Sequence, residues 1–185
     1  MFEDIINGAK DAVVAAIKGA SDILSALREA VTAQVTGTMS NVKDIATGGL
    51  DTVASVVSGA IQGTALVGTS VTEAAHGVVS GVIVAVSKTA VDTVEAISLA
   101  GQTIIQNVSK TGGNLGEAAV GVVQGAVEGA GKVEMTTAEA VTAAVKGVIK
   151  GADEIGDEAS TTVREALLSA VSLPKELVEA ALKGR

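Results

Sequence analysis

The sequence has no cysteine, tryptophan or tyrosine, and only one phenylalanine, one proline and one histidine in 185 residues. The lack of cysteine excludes disulfides, thiolate metal sites and cysteine nucleophiles together. A single histidine, His76, excludes a two-histidine metal site, and the residue reads as a boundary or solvent-facing side chain rather than the base of a Ser-His-Asp triad. Nucleic acid is excluded as a partner: there are 13 Lys and Arg against 21 Asp and Glu, a net charge of -8, with no cation cluster and no aromatic stacking platform. The acids Asp153, Glu154, Asp157 and Glu158 gather in one stretch but read as a solvated face, because a hard-cation site needs more ligands and a turn. Gly112-Gly113-Asn114-Leu115-Gly116 completes neither a phosphate loop nor a dinucleotide fingerprint, and GxSxG is missing. No catalytic, metal or cofactor-binding residue is expected, so the chain reads as non-enzymatic.

What is present is small and apolar. Some 48% of the residues are hydrophobic, overwhelmingly Ala and Val, which favours collapse but supplies few large side chains to lock a dense core. From Thr52 to Val86 the only charged residue is Glu73, a run long enough to cross a bilayer. Its many Ser, Thr and Gln residues argue against insertion, since spanning helices are dominated by Leu, Ile, Phe and Val. Glu3 and Asp4 stand where an export signal would carry Lys or Arg, so an intracellular location is expected, peripheral on a membrane, lipid or granule surface with a soluble pool.

The main positive signal is a period of eleven. Taken every eleven residues from Leu50, the first position reads Leu50, Ile61, Thr72, Ile83, Val94, Ile105, Gly116, Val127, Ala138, Ile149 and Ser160, mostly apolar or small. The second reads Asp51, Gln62, Glu73, Val84, Glu95, Gln106, Glu117, Glu128, Glu139, Lys150 and Thr161, polar in all but one unit. Eleven residues make three helical turns, so the apolar positions gather on one side within roughly 130°. An all-α fold follows: long amphipathic helices on 11-residue repeats, kinked or folded back as hairpins or a bundle. The lipid- or partner-facing stripe comprises Leu50, Val53, Val57, Ile61, Val71, Val82, Ile83, Val86, Val94, Ile97, Ile104, Ile105, Val108, Val123, Val127, Val141, Val145, Val148 and Ile149. Phe2, Ile5 and Ile6 read equally as an insertion wedge and as one end of a helix core.

Breaks are expected at Thr47-Gly48-Gly49, at Thr111 to Asn114, at Gly151 to Gly156 and at Pro174. They give helical segments near 3–46, 50–110, 115–150, 153–172 and 174–183. The domain reading is an N-terminal amphipathic segment 1–46, a repeat region 47–172 and a short last helix within 173–185. Thr136 or Thr137 before Glu139, Ser172, and Thr161 with Thr162 are candidate helix caps. Nineteen glycines lie between Gly37 and Gly156, and at about 0.8 to 1 kcal/mol each relative to Ala they penalise a free helix by on the order of 15 kcal/mol. The apolar stripe must therefore be buried against something. Gly59 and Gly63, Gly77 and Gly81, Gly112 and Gly116, Gly121, Gly125 and Gly129, and Gly147 and Gly151 form GxxxG spacings that allow close helix approach.

His76-Gly77-Val78-Val79, Ser87 to Val94, Ser109-Lys110-Thr111-Gly112-Gly113 and Val127 to Lys132 resemble the 11-residue repeats of synucleins and perilipins, over roughly residues 39–170. The texture is also similar to late-embryogenesis-abundant stress proteins and, more loosely, granule-coating phasins. The resemblance implies an amphipathic helix that coats a membrane, lipid droplet or hydrophobic granule. Here Lys88, Lys110 and Lys132 fall only every second unit and acids outweigh them, so attachment would rest on apolar insertion rather than on anionic lipid. The alternative is a self-associating helical scaffold or stress-protection protein, a possible homo-oligomer whose stripes cover one another.

Overall fold

The computed structural model describes residues 2–18, 22–40 and 45–184. Among the described residues every regular element is helical: α1 (Phe2–Lys18), α2 (Ile23–Met39), α3 (Ile45–Leu66), α4 (Val71–Val86), α5 (Thr93–Lys110), α6 (Leu115–Ala130), α7 (Thr137–Ile155), α8 (Asp157–Ser169) and α9 (Lys175–Leu182).

The starts of the central helices are written in the sequence at regular intervals. Ser70, Asp92, Asn114 and Thr136 are N-caps 22 residues apart, and each side chain accepts from the backbone N–H of a glutamate three positions on, Glu73, Glu95, Glu117 and Glu139. These bonds satisfy N–H groups that the first turn leaves without an intrahelical partner, while the glutamates sit favourably at the positive end of the helix dipole. At Thr136 the exchange is reciprocal, because Glu139 also accepts from the Thr136 backbone N–H at 3.1 Å. Those bonds from Thr136 hold the Glu139 carboxyl below its ordinary value. Asp22 caps α2 in the same manner through Ser25 at 3.1 Å.

The ends alternate between two designs. Gly68, Gly112 and Gly156 are 44 residues apart, and all three have positive φ. The first two, at φ 71°, close short turns after α3 and α5 in the left-handed region that only glycine enters without steric cost. After α4 and α6 the chain leaves through right-handed residues, Ser87 and Gly131, and a slightly longer connection. The repeating unit is therefore a helix pair of 44 residues, and eleven is half of one helix and its turn.

Packing follows the same alternation. Each helix lies against the helix two places before it as well as against its neighbour in sequence: α1 on α3, α2 on α4, α4 on α6 and α5 on α7 form the broadest contacts. Odd helices make one layer and even helices the other, a stacked array of helix pairs in which each unit touches mainly the next. Within a layer the helices run parallel, since Gly59 and Gly63 of α3 approach Ile6 and Lys10 of α1, and Gly147 and Gly151 of α7 approach Ser98 and Gln102 of α5, in ascending order.

The helical class holds, but several of the expected segment limits do not. The segment expected over 50–110 is three helices, with turns at 67–70 and 87–92, and those expected over 3–46 and 115–150 are likewise divided. Thr47, Gly48 and Gly49, read as a break, lie inside α3. In a chain where glycine also serves helix contacts, glycine alone does not mark an end; a capping side chain followed by glutamate three residues on does. Thr161 and Thr162 lie within α8, and Ser172 precedes Pro174 without capping α9; its hydroxyl accepts from Gln124 Nε2 at 2.9 Å.

Candidate functional site

The predicted stripe is largely internal. Of its members, Val53, Val57, Ile61, Val82, Ile83, Val86, Ile97, Ile104, Ile105, Val108, Val123, Val141, Val145 and Val148 are buried in one continuous core. Leu50, Val71, Val127 and Ile149 are half-buried, and Val94 is exposed. The picture of one apolar side facing one partner is corrected for α4. There, buried residues run from Ala74 to Val86 with only His76 and Val84 half-covered, because helices of both layers surround it. The charge-poor run 52–86 is accordingly two helices packed into the stack and the exposed turn between them, and among the described residues no helix is long and apolar enough to cross a membrane.

Apart from Gly112, which lies in the turn after α5 with open space where a Cβ would sit, the predicted glycines sit where helices of one layer touch. A Cβ placed on Gly121 or Gly125 would fall on the carbonyl oxygens of Thr72 and His76, and one on Gly147 on that of Ser98. On Gly63, Gly81 and Gly151 it would lie 2.8 Å from the carbonyl oxygens of Lys10, Arg28 and Gln102. Gly77 presses on Leu27, Gly129 on Ile83, and Gly59 on the Ile6 carbonyl. The offset is 49 residues for Gly121, Gly125, Gly147 and Gly151 alike, so two contacts repeat one geometry. Such proximity suits Cα–H···O=C contacts between parallel helices and explains why these positions exclude even a methyl group.

One charged cluster bridges three even-layer helices, and sequence spacing offers no sign of it. Glu128 of α6 accepts from Arg28 of α2 at 2.7 Å and from His76 Nε2 of α4 at 2.5 Å, with Lys132 at 3.3 Å from the same carboxylate. Burial raises the Glu128 carboxyl, but the hydrogen bond and charge of His76, joined by those of Lys132, outweigh it and hold the group below its ordinary value. Arg28 and Glu128 are 100 residues apart, a distance that no local pattern encodes. His76 is thus a half-buried boundary residue, one of the two positions expected for it, and the partner of a carboxylate at the seam between α4 and α6.

Little else has the arrangement of a reactive centre. Asp153 accepts from Ser160 at 2.5 Å, and Glu154 accepts from Gln102 at 2.9 Å and Gln106 at 2.5 Å, so these acids tie α7 to α8 and α5. Among the described residues no group of three or more His, Cys, Asp or Glu side chains is placed to hold a metal ion. At the N-terminus Phe2 is exposed while Ile5 and Ile6 are half-buried in α1. No protein-family model matches the chain, and no curated protein matches it either.

Proposed function

We propose that the protein is a non-enzymatic helical scaffold, in which the apolar stripe joins helix to helix within the chain. The observation that carries this reading is the burial of the stripe: fourteen of its nineteen residues, on α3 to α7, are consumed by the core of the stack. A scaffold of this kind offers an extended, acidic outer surface on a regular repeat, at a net charge of -8.

A second reading, a coat on a lipid or hydrophobic-granule surface, is favoured by the composition of that core. It is built mostly from Val and Ala, with some Ile and Leu and with backbone contacts at glycine, and no aromatic residue anchors it. A stack held by many small contacts can exchange them for a lipid surface at modest cost.

Circular dichroism, sedimentation and vesicle flotation separate the two. The scaffold predicts high helicity, a cooperative melt and a defined mass in buffer, with hydrogen-exchange protection of α4 and α6 unchanged by phosphatidylcholine vesicles. Flotation with the vesicles together with loss of that protection would replace the scaffold by the coat.

A further inference from the structure

A groove of about 760 Å³ runs along α7 where it meets α8 and α9, within the size range of small-molecule sites. Its floor is apolar, from Val145 and Ile149 of α7 and Leu182 of α9, and its rim carries Lys146 and Lys150 one turn apart on α7 with Arg164 of α8. The rim also holds Asp153 and Glu154, but both are engaged by neutral donors: Ser160 for Asp153, Gln102 and Gln106 for Glu154. Among the described residues no ion pair joins Lys146, Lys150 or Arg164 to an acid. Arg164 donates to the Ser160 hydroxyl at 3.4 Å, which in turn donates to Asp153, while Lys146 and Lys150 form no ion pair among the described residues. In a chain with eight more acids than bases, a lining of three cations against two acids is a local reversal of the overall balance.

We infer that this groove binds one molecule of a single-chain amphiphile with a carboxylate head, the alkyl tail lying along Val145, Ile149 and Leu182 and the head between Lys146, Lys150 and Arg164. The tail supplies affinity by removing apolar surface from water, and the cations select the sign of the head. The site is an addition to the scaffold reading and does not require the stack to open.

The test uses the full chain with dodecanoate below its micelle concentration, followed by titration calorimetry and by methyl NMR. Saturable binding is expected, with shifts at Val145, Ile149 and Leu182, and at least tenfold weaker binding of both hexanoate and dodecyltrimethylammonium. Lys146 and Lys150 are exposed, so the Lys146→Glu/Lys150→Glu protein retains its helicity and binds dodecanoate at least tenfold more weakly. Equal binding of the cationic amphiphile, shifts centred elsewhere, or no saturable binding by the unaltered chain would each overturn the site, whatever the double variant does. Loss of the scaffold reading would instead appear as vesicle-induced deprotection of α4 and α6.

Discussion

The contact of α5 with α7 and that of α3 with α5 occupy equivalent places in the odd layer but are made differently. Gly147 and Gly151 let α7 approach the backbone of α5, at Ser98 and Gln102. On α5 the residues 44 positions earlier are Thr103 and Asn107. Asn107 donates to the Thr103 carbonyl of its own helix at 2.8 Å and to Ser58 Oγ of α3 at 3.2 Å. The α3–α5 contact is the less extensive of the two. One place in the repeat is thus filled either by close backbone approach or by a hydrogen-bonding side chain. The first costs helix propensity and gains packing, whereas the second keeps a side chain but must satisfy its polar atoms. Even-layer contacts follow the first design, with α6 on α4 through Gly121 and Gly125.

Filling the glycine positions of the α4–α6 contact should have the largest effect. Gly121→Ala combined with Gly125→Ala should gain helix propensity of about 1 kcal/mol per site but lose more, because each methyl group meets backbone that cannot rotate aside. A net loss of about 3 kcal/mol in urea unfolding is expected; unchanged stability would mean that α4 and α6 are further apart.

Next is the charged bridge that adds a second tie to the glycine contact of α4 and α6. Glu128→Gln should cost about 1–2 kcal/mol at neutral pH, since Arg28 and His76 lose an ionised acceptor. A carboxyl held below its ordinary value contributes stability that is complete above that value, 4.5, and is lost as pH falls through the lowered folded value. The difference between wild type and Glu128→Gln should therefore shrink as the pH is taken below 4.5, as read by unfolding at a series of pH values. A constant difference would show that the charge of Glu128 is not what matters.

Asn107→Ala probes the polar design and should cost about 1 kcal/mol, as only one hydrogen bond to α3 is removed and Ser58 is half-buried. A loss equal to that of the double glycine variant would erase the distinction drawn between the two contacts. The smallest effect serves as the control for the largest. Gly8 lies inside α1 with open space, nothing within 4 Å, where an added methyl group would sit, so Gly8→Ala should stabilise by up to about 1 kcal/mol through helix propensity alone. Destabilisation there would mean that the outer face of α1 is covered.

The all-helical class, the importance of GxxxG and the location of most core residues are legible in order and spacing. Val53, Val57, Ile83, Ile97, Ile104, Val141 and Val148 belong to the stripe that an eleven-residue period defines, and all are fully buried. The turns at 67–70 and 87–92 are hidden from that register, because a period of eleven runs straight through a break that itself recurs every twenty-two. The cap series Ser70, Asp92, Asn114 and Thr136, each with a glutamate three positions on, carries the missing signal in local spacing, although only its last member is among the candidate caps named from the sequence.

Amino-acid order alone determined that this chain forms apolar-rich helices too rich in glycine to stand unsupported, because propensity and periodicity act over a few turns of backbone. Which surface their apolar residues meet was decided only by the tertiary structure. The folding back of each helix onto the one two places before it brings glycine against backbone carbonyl across 49 residues and Arg28 against Glu128 across 100. Contacts at such separations depend on the path of the whole chain, which no local pattern contains.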